Sequence, residues 1–168
     1  MDDIEKLLID NLKETLKSAQ TYLLTGTVAA LFLLLLALQG RFNQPSEETV
    51  GVPFVGLSAP AITAAFIALA IYVLSGTIVV ILDSSCRRIE EKLGQSETPG
   101  LLDAVLTYPS LIRPSRLMGV GAALVAFLIG TTALVSSWYE IHGVSKSLLP
   151  AVVFSSPYLV LSWRLWRR

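Results

Sequence analysis

Four stretches of this chain run apolar without a single charged residue: positions 21–38, 59–82, 117–137 and 147–163. A helix of about 20 apolar residues covers the roughly 30 Å of a bilayer's hydrocarbon core, so each stretch predicts a transmembrane helix. The fold class that follows is an all-α membrane protein, an antiparallel bundle of four transmembrane helices. The fourth stretch is the least regular, because Pro150 and Pro157 each remove a backbone donor and press on the preceding turn. A kink is expected there, with Ser155 or Ser156 taking up the freed carbonyls. The first stretch reads as an uncleaved span rather than a signal peptide. It follows a mixed-charge segment, is longer than the roughly 7–15 residues of a signal's apolar region, and lacks a small-x-small cleavage site.

The segments between these stretches carry patterns of their own. Residues 1–20 place Ile4, Leu8, Leu12 and Leu16 at fourfold spacing with Leu7 beside them, which predicts an amphipathic helix. Asp2 with Lys6 and Glu14 with Lys17 fall at helical spacing and support it modestly. No proline separates this helix from the first span, so one continuous helix is expected. Its leucine stripe has two readings: it lies on headgroups or on the protein's own cytoplasmic loop, or it self-associates or docks a partner.

Residues 83–116 form the next polar segment. Arg87 to Leu93 can prolong the second helix, with Gly94 as its left-handed stop. Thr98 and Pro99 then open a short apolar helix, LLDAVLTY, expected to lie along the interface, with a re-entrant pore element as the sharper alternative. Residues 39–58 carry Glu47 and Glu48 and then VGVPFVGLSAP. There Gly51, Pro53, Gly56 and Pro60 oppose a helix, while Val50, Val52 and Phe54 alternate as in an extended segment. This stretch is expected to cap the bundle as a packed loop, and a pore mouth, were there one, would be sought in it. Residues 138–146 make a second, shorter loop on the same side, and 164–168 a basic tail. The two halves share no convincing repeat, so an inverted-repeat transporter is not supported.

Composition agrees with the pattern: 53% of residues are apolar, 15% are charged, and the mean hydropathy is +0.63. Such values disfavour a soluble domain, a disordered chain or a nucleic-acid binder. The formal net charge is zero, from 13 basic and 13 acidic residues, so the electrostatic message lies in placement. Lys6, Lys13 and Lys17 precede the first span. Arg87, Arg88, Lys92, Arg113 and Arg116 separate the second from the third, and Arg164, Arg167 and Arg168 follow the fourth. Only Arg41 and Lys146 fall on the other side. Cytoplasmic flanks are enriched in Lys and Arg, so both termini are expected in the cytoplasm, in a plasma or bacterial inner membrane. Trp138 and Tyr139 outside, and Trp163 and Trp166 inside, sit where amphipathic rings favour headgroups.

Candidate chemistry is sparse. No ionisable residue lies within a span, which disfavours a proton-coupled exporter, and Asp83 has Arg87 one helical turn away as a surface-level partner. Thr63, Tyr72, Ser75, Thr77, Thr131 and Thr132 are the polar groups at membrane depth, most of them able to bond their own helix. Cys86 and His142 are expected on opposite faces of the membrane, so they cannot form a nucleophile–base pair. No phosphate loop, nucleophile elbow or HExxH motif occurs, so neither an enzyme, a cofactor nor a metal site is expected. Cys86, in LDSSCRR, is chemically placed for S-acylation, though a plain reduced thiol is the simpler reading. Arg87, Arg88, Arg113, Arg116, Arg164, Arg167 and Arg168 are expected to attract anionic headgroups.

The most specific positive signal is small residues at helix-contact spacing, because small side chains let backbones approach closely in lipid. Ala122, Ala126 and Gly130, with Gly119 and Ala123 alongside, form such faces in the third span. Ala61 with Ala65 and Ala64 with Ala68 do so in the second, and Gly26 with Ala30 weakly in the first. The second and third spans are therefore expected to be the packing centre, within one bundle or also between protomers. Three function classes remain. The first is a non-enzymatic subunit or scaffold of a membrane complex, and the alternative is an oligomeric pore-forming or membrane-disrupting effector. The third is a transporter of unrecognised type. The expected partners are the lipid bilayer and either further copies of this chain or other membrane subunits. Neither a nucleic acid nor a small-molecule substrate is indicated.

Overall fold

A computed structural model of the chain describes residues 3–40, 49–53, 56, 58–94, 116–142 and 144–167. Its elements are α1 (Asp3–Leu38), β1 (Thr49–Gly51), β2 (Ser58–Pro60), α2 (Ala61–Gly94), α3 (Arg116–His142) and α4 (Val144–Trp166). Four segments within these helices are long and apolar enough to cross a membrane: Glu5–Leu38, Ala61–Gly94, Met118–Ser137 and Ser147–Trp166.

The N-terminal segment and the first span are one helix, as the absence of any proline between them predicts. α1 stops where Gly40 takes a left-handed φ of 64° and its N–H donates to the Ala37 carbonyl at 3.0 Å. α2 begins at Ala61 rather than 59, because Ser58 to Pro60 pair antiparallel with Thr49 to Gly51 in a two-stranded ladder. Val50, from that ladder, packs on Leu33, Leu36, Ala65, Ala68 and Ala133 at one end of the bundle. Of the alternating Val50, Val52 and Phe54, Val50 lies in β1, Val52 follows the strand, and Phe54 lies outside the described residues.

At its other end α2 continues past Leu82 to Gly94. Gly94 closes the helix without the left-handed turn expected of it; among the described residues, Gly40 and Gly56 are the glycines with positive φ. Glycine permits that conformation without imposing it. α3 runs on to His142, beyond the expected 137, since no glycine or proline interrupts the sequence from Thr131 onward. α4 passes through Pro150 and Pro157 as one helix. Ser155 does not take up a freed carbonyl, as its Oγ makes no hydrogen bond to the α4 backbone. The expected helix at 101–108, Arg113 and Arg168 lie outside the described residues.

α1 lies along α2, α3 along α4, α1 also against α3, and α2 also against α4. Around the bundle the order is therefore α1, α2, α4, α3, which leaves α2 diagonal to α3 and α1 diagonal to α4. The second and third spans, expected to be the packing centre, meet across the axis through side chains: Tyr72 of α2 reaches Ala126 and Gly130 of α3, and Ala65 and Ala68 of α2 share a cluster with Ala133 of α3. Leu12 and Leu16, near the start of α1, cluster with Cys86 and Leu93 near the end of α2. Leu33 and Leu36, near the end of α1, cluster with Ala65 and Ala68 near the start of α2.

Candidate functional site

Two features inside the bundle go beyond apolar packing, and both arise from long side chains crossing between helices. The first is at the centre. Tyr72 of α2 and Tyr158 of α4 are both completely buried, and their rings stack with centroids 4.7 Å apart and planes 17° apart. The Tyr72 hydroxyl crosses the axis and donates to the Ala126 carbonyl of α3 at 3.2 Å. The Tyr158 hydroxyl donates to the Tyr72 carbonyl at 2.8 Å. A buried hydroxyl without a partner is costly, so these two bonds are what allow phenols in place of phenylalanines here.

Glycines make the space. A Cβ on Gly130 of α3 would fall on the Tyr72 hydroxyl and ring, and one on Gly26 of α1 on the Tyr158 hydroxyl. A Cβ on Gly76 would lie 2.7 Å from Cε2 of Tyr158. Each tyrosine thus spans a diagonal of the bundle and ends against a glycine of the far helix. Together they fill the axis that a single-chain pore would need.

The second feature is at the end where α2 and α4 carry their arginines. Asp83 is buried, with its side chain 1% exposed, and Arg87 Nε lies 3.4 Å from its Oδ2 one turn along α2. Arg87 then reaches across, its Nη2 donating to the Arg164 carbonyl at 3.0 Å. Arg164 returns the contact, its Nη1 donating to Ser84 Oγ at 2.7 Å. Ser84 in turn donates to the Val80 carbonyl at 2.9 Å. Reciprocal arginines therefore tie the two helix ends together. Between them opens a cavity of about 460 Å³, walled by Ser84, Arg87, Arg88 and Glu91 from α2 and by Trp163, Arg164 and Arg167 from α4. The Arg167 guanidinium lies over the Trp163 ring, 3.9 Å from its centroid.

Several residues singled out from the sequence meet at these places and others do not. Ala126 and Gly130 receive Tyr72. Ala61, Ala64, Ala65, Ala68, Gly119 and Ala123 are buried within this one chain, and Ala122 is half-buried. Leu12 and Leu16 are buried and Leu8 is half-buried against α2, whereas Leu7 is 61% exposed. Ile4 lies in the first turns of α1, and Arg116 opens α3. Of the readings given to the leucine stripe (headgroups, the chain's own loop at 83–116, or a partner), its buried part lies on the chain's own segment, against Cys86 and Leu93 of α2. Cys86 is free of disulfide and buried in the same cluster, so acylation would require α1 to lift away.

Thr77 bonds its own helix at the Val73 carbonyl, as expected of a membrane hydroxyl. Tyr72 does not, and Tyr158 had no place among the polar residues singled out at all. The available signal was the pairing of tyrosines at mid-span with glycines at mid-span on other helices. No family model, curated protein or solved structure matches this chain.

Proposed function

We propose that this chain is a non-enzymatic integral membrane subunit or scaffold: an antiparallel four-helix bundle, closed along its axis, that carries a two-helix stalk on its basic end. The observation that supports this most is the Tyr72–Tyr158 stack, which occupies the bundle axis and is hydrogen-bonded to two helices. The stalk is the second support. At 1.5 Å per residue the 36 residues of α1 and 34 of α2 reach about 50 Å, well beyond the roughly 30 Å of hydrocarbon. The charged first turns of α1 and last turns of α2 therefore stand clear of the lipid. The excess of Lys and Arg at that end supports a cytoplasmic location for it and for both termini.

Proteoliposomes holding this chain alone are expected to retain a trapped dye as well as empty liposomes do. The chain extracted from its own membrane into nanodiscs is expected to run as an assembly of fixed stoichiometry. Leakage that rises with the protein-to-lipid ratio would replace this reading with the oligomeric pore, and a lone chain in every membrane tested would remove the subunit role.

A further inference from the structure

We propose that the cavity between the basic ends of α2 and α4 binds the phosphate of an anionic phospholipid headgroup. Four guanidinium groups wall it, and Glu91 is the one carboxylate among its lining residues. Arg87 is opposite Asp83. Arg164 is held by the neutral Ser84 hydroxyl, Arg167 rests on an indole, and Arg88 is exposed. Arg87 and Arg164 are fixed by their mutual contacts, so forked donors are pre-organised for an oxyanion with little further loss of side-chain freedom.

Depth argues for a lipid as the source of the phosphate. The uncharged run of α2 ends at Leu82, and Ser84, Arg87, Arg88 and Glu91 occupy the next turns. Trp163, 52% exposed, ends the uncharged run of α4 and forms the cavity's opposite wall, at the level where indoles meet glycerol and headgroups. A cavity of about 460 Å³ is of the size that takes a small ligand group, and basic pockets between helices at this depth suit lipid phosphates. The inference rests on the basic end lying at a membrane surface, not on the existence of a protein partner.

Native mass spectrometry of the full chain, titrated with phosphatidylglycerol or phosphatidylcholine, tests it. Phosphatidylglycerol is expected to bind at least about tenfold more tightly, since only its headgroup is net anionic. The double variant Arg88→Gln/Arg167→Gln removes two exposed charges and leaves the Arg87–Arg164–Ser84 contacts in place. It is expected to lose roughly fivefold per arginine, about 25-fold in all. The control Lys6→Gln/Lys17→Gln removes two exposed charges from α1 and is expected to change binding less than about twofold. Equal losses in the two variants would reduce the site to diffuse surface charge and overturn the proposal. Displacement of the lipid by millimolar inorganic phosphate would assign the cavity to a soluble ligand and overturn it as well. Dye retention and assembly size do not enter these ratios, so this proposal and the subunit reading fail separately.

Discussion

Tyr158 stacks on Tyr72 at a centroid distance of 4.7 Å, and its hydroxyl donates to the backbone carbonyl of that same residue at 2.8 Å. One side chain thereby holds both the ring and the helix of its neighbour. Because Tyr72 in turn reaches α3 and Tyr158 reaches the Gly26 position of α1, the pair links all four helices at one level. In lipid, apolar burial gives helices little reason to associate, and close packing of this kind must supply the attraction.

Removing the Tyr158 hydroxyl and removing its ring should therefore differ widely. Tyr158→Phe loses one hydrogen bond whose acceptor lies in a helix, for about 0.6–1.5 kcal/mol. Tyr158→Ala empties the axis and should cost about 3–5 kcal/mol, as aromatic-to-alanine changes in cores do. Reversible unfolding in mixed micelles measures both. Equal costs for the two variants would mean that the ring contributes no packing.

The glycine positions make a sharper distinction. Gly26→Ala sets a methyl chiefly against the Tyr158 hydroxyl, with Cζ at 2.9 Å, whereas Gly130→Ala sets one against both the hydroxyl and Cζ of Tyr72. Each should destabilise by about 1–3 kcal/mol. Adding Tyr158→Phe should recover much of the loss at Gly26, and adding Tyr72→Phe should recover little at Gly130. A double-mutant cycle measures the two couplings, and equal rescue at both sites would contradict the geometry.

The helices and the alanine faces were legible in the sequence because both are local: a run without charge, a spacing of four. The continuous α1 was legible for the same reason, through the lack of any breaker between Lys17 and Thr21. What could not be read was which helix lies diagonal to which. The Ala61–Ala68 and Ala122–Gly130 faces announce close contact without naming its partner, so nothing in them sets α2 and α3 across the axis from one another. The arginine exchange was hidden in the same way. Arg87 and Asp83 sit one turn apart and are visible as a pair, but Arg164 is 77 positions away from Arg87 and joins them only once the bundle closes. The tyrosine stack, between positions separated by 86 residues, shares that origin.

The exchange between Arg164 and Ser84 predicts where α4 frays. Ser84→Ala removes the acceptor for Arg164 Nη1 in a half-exposed setting, so the loss of global stability should stay near 0.5–1 kcal/mol. Its local effect should be larger. The Arg167 amide, bonded to the Trp163 carbonyl at 3.1 Å, and its neighbours should exchange hydrogen several-fold faster, while amides around Tyr158 stay protected. Unchanged exchange at the end of α4 would show that the arginine contacts do not hold it.

Cys86 offers a probe of the stalk. The residue is 2% exposed and clusters with Leu12 and Leu16, so a water-soluble maleimide should react only when α1 lifts from α2. Leu12→Ala leaves a gap in that cluster worth about 2 kcal/mol or more, and labelling should accelerate roughly 30-fold if opening limits the reaction. Leu7→Asp should leave the rate unchanged, because Leu7 is 61% exposed and belongs to no core cluster among the described residues. If the stalk docks a membrane partner, Leu7→Asp should instead lower recovery of the fixed-stoichiometry assembly. Fast labelling of the unsubstituted protein would place α1 away from α2 in the membrane. Recovery that survives Leu7→Asp but falls with Leu12→Ala would move the docking surface from the outer face of α1 to the face it turns toward α2.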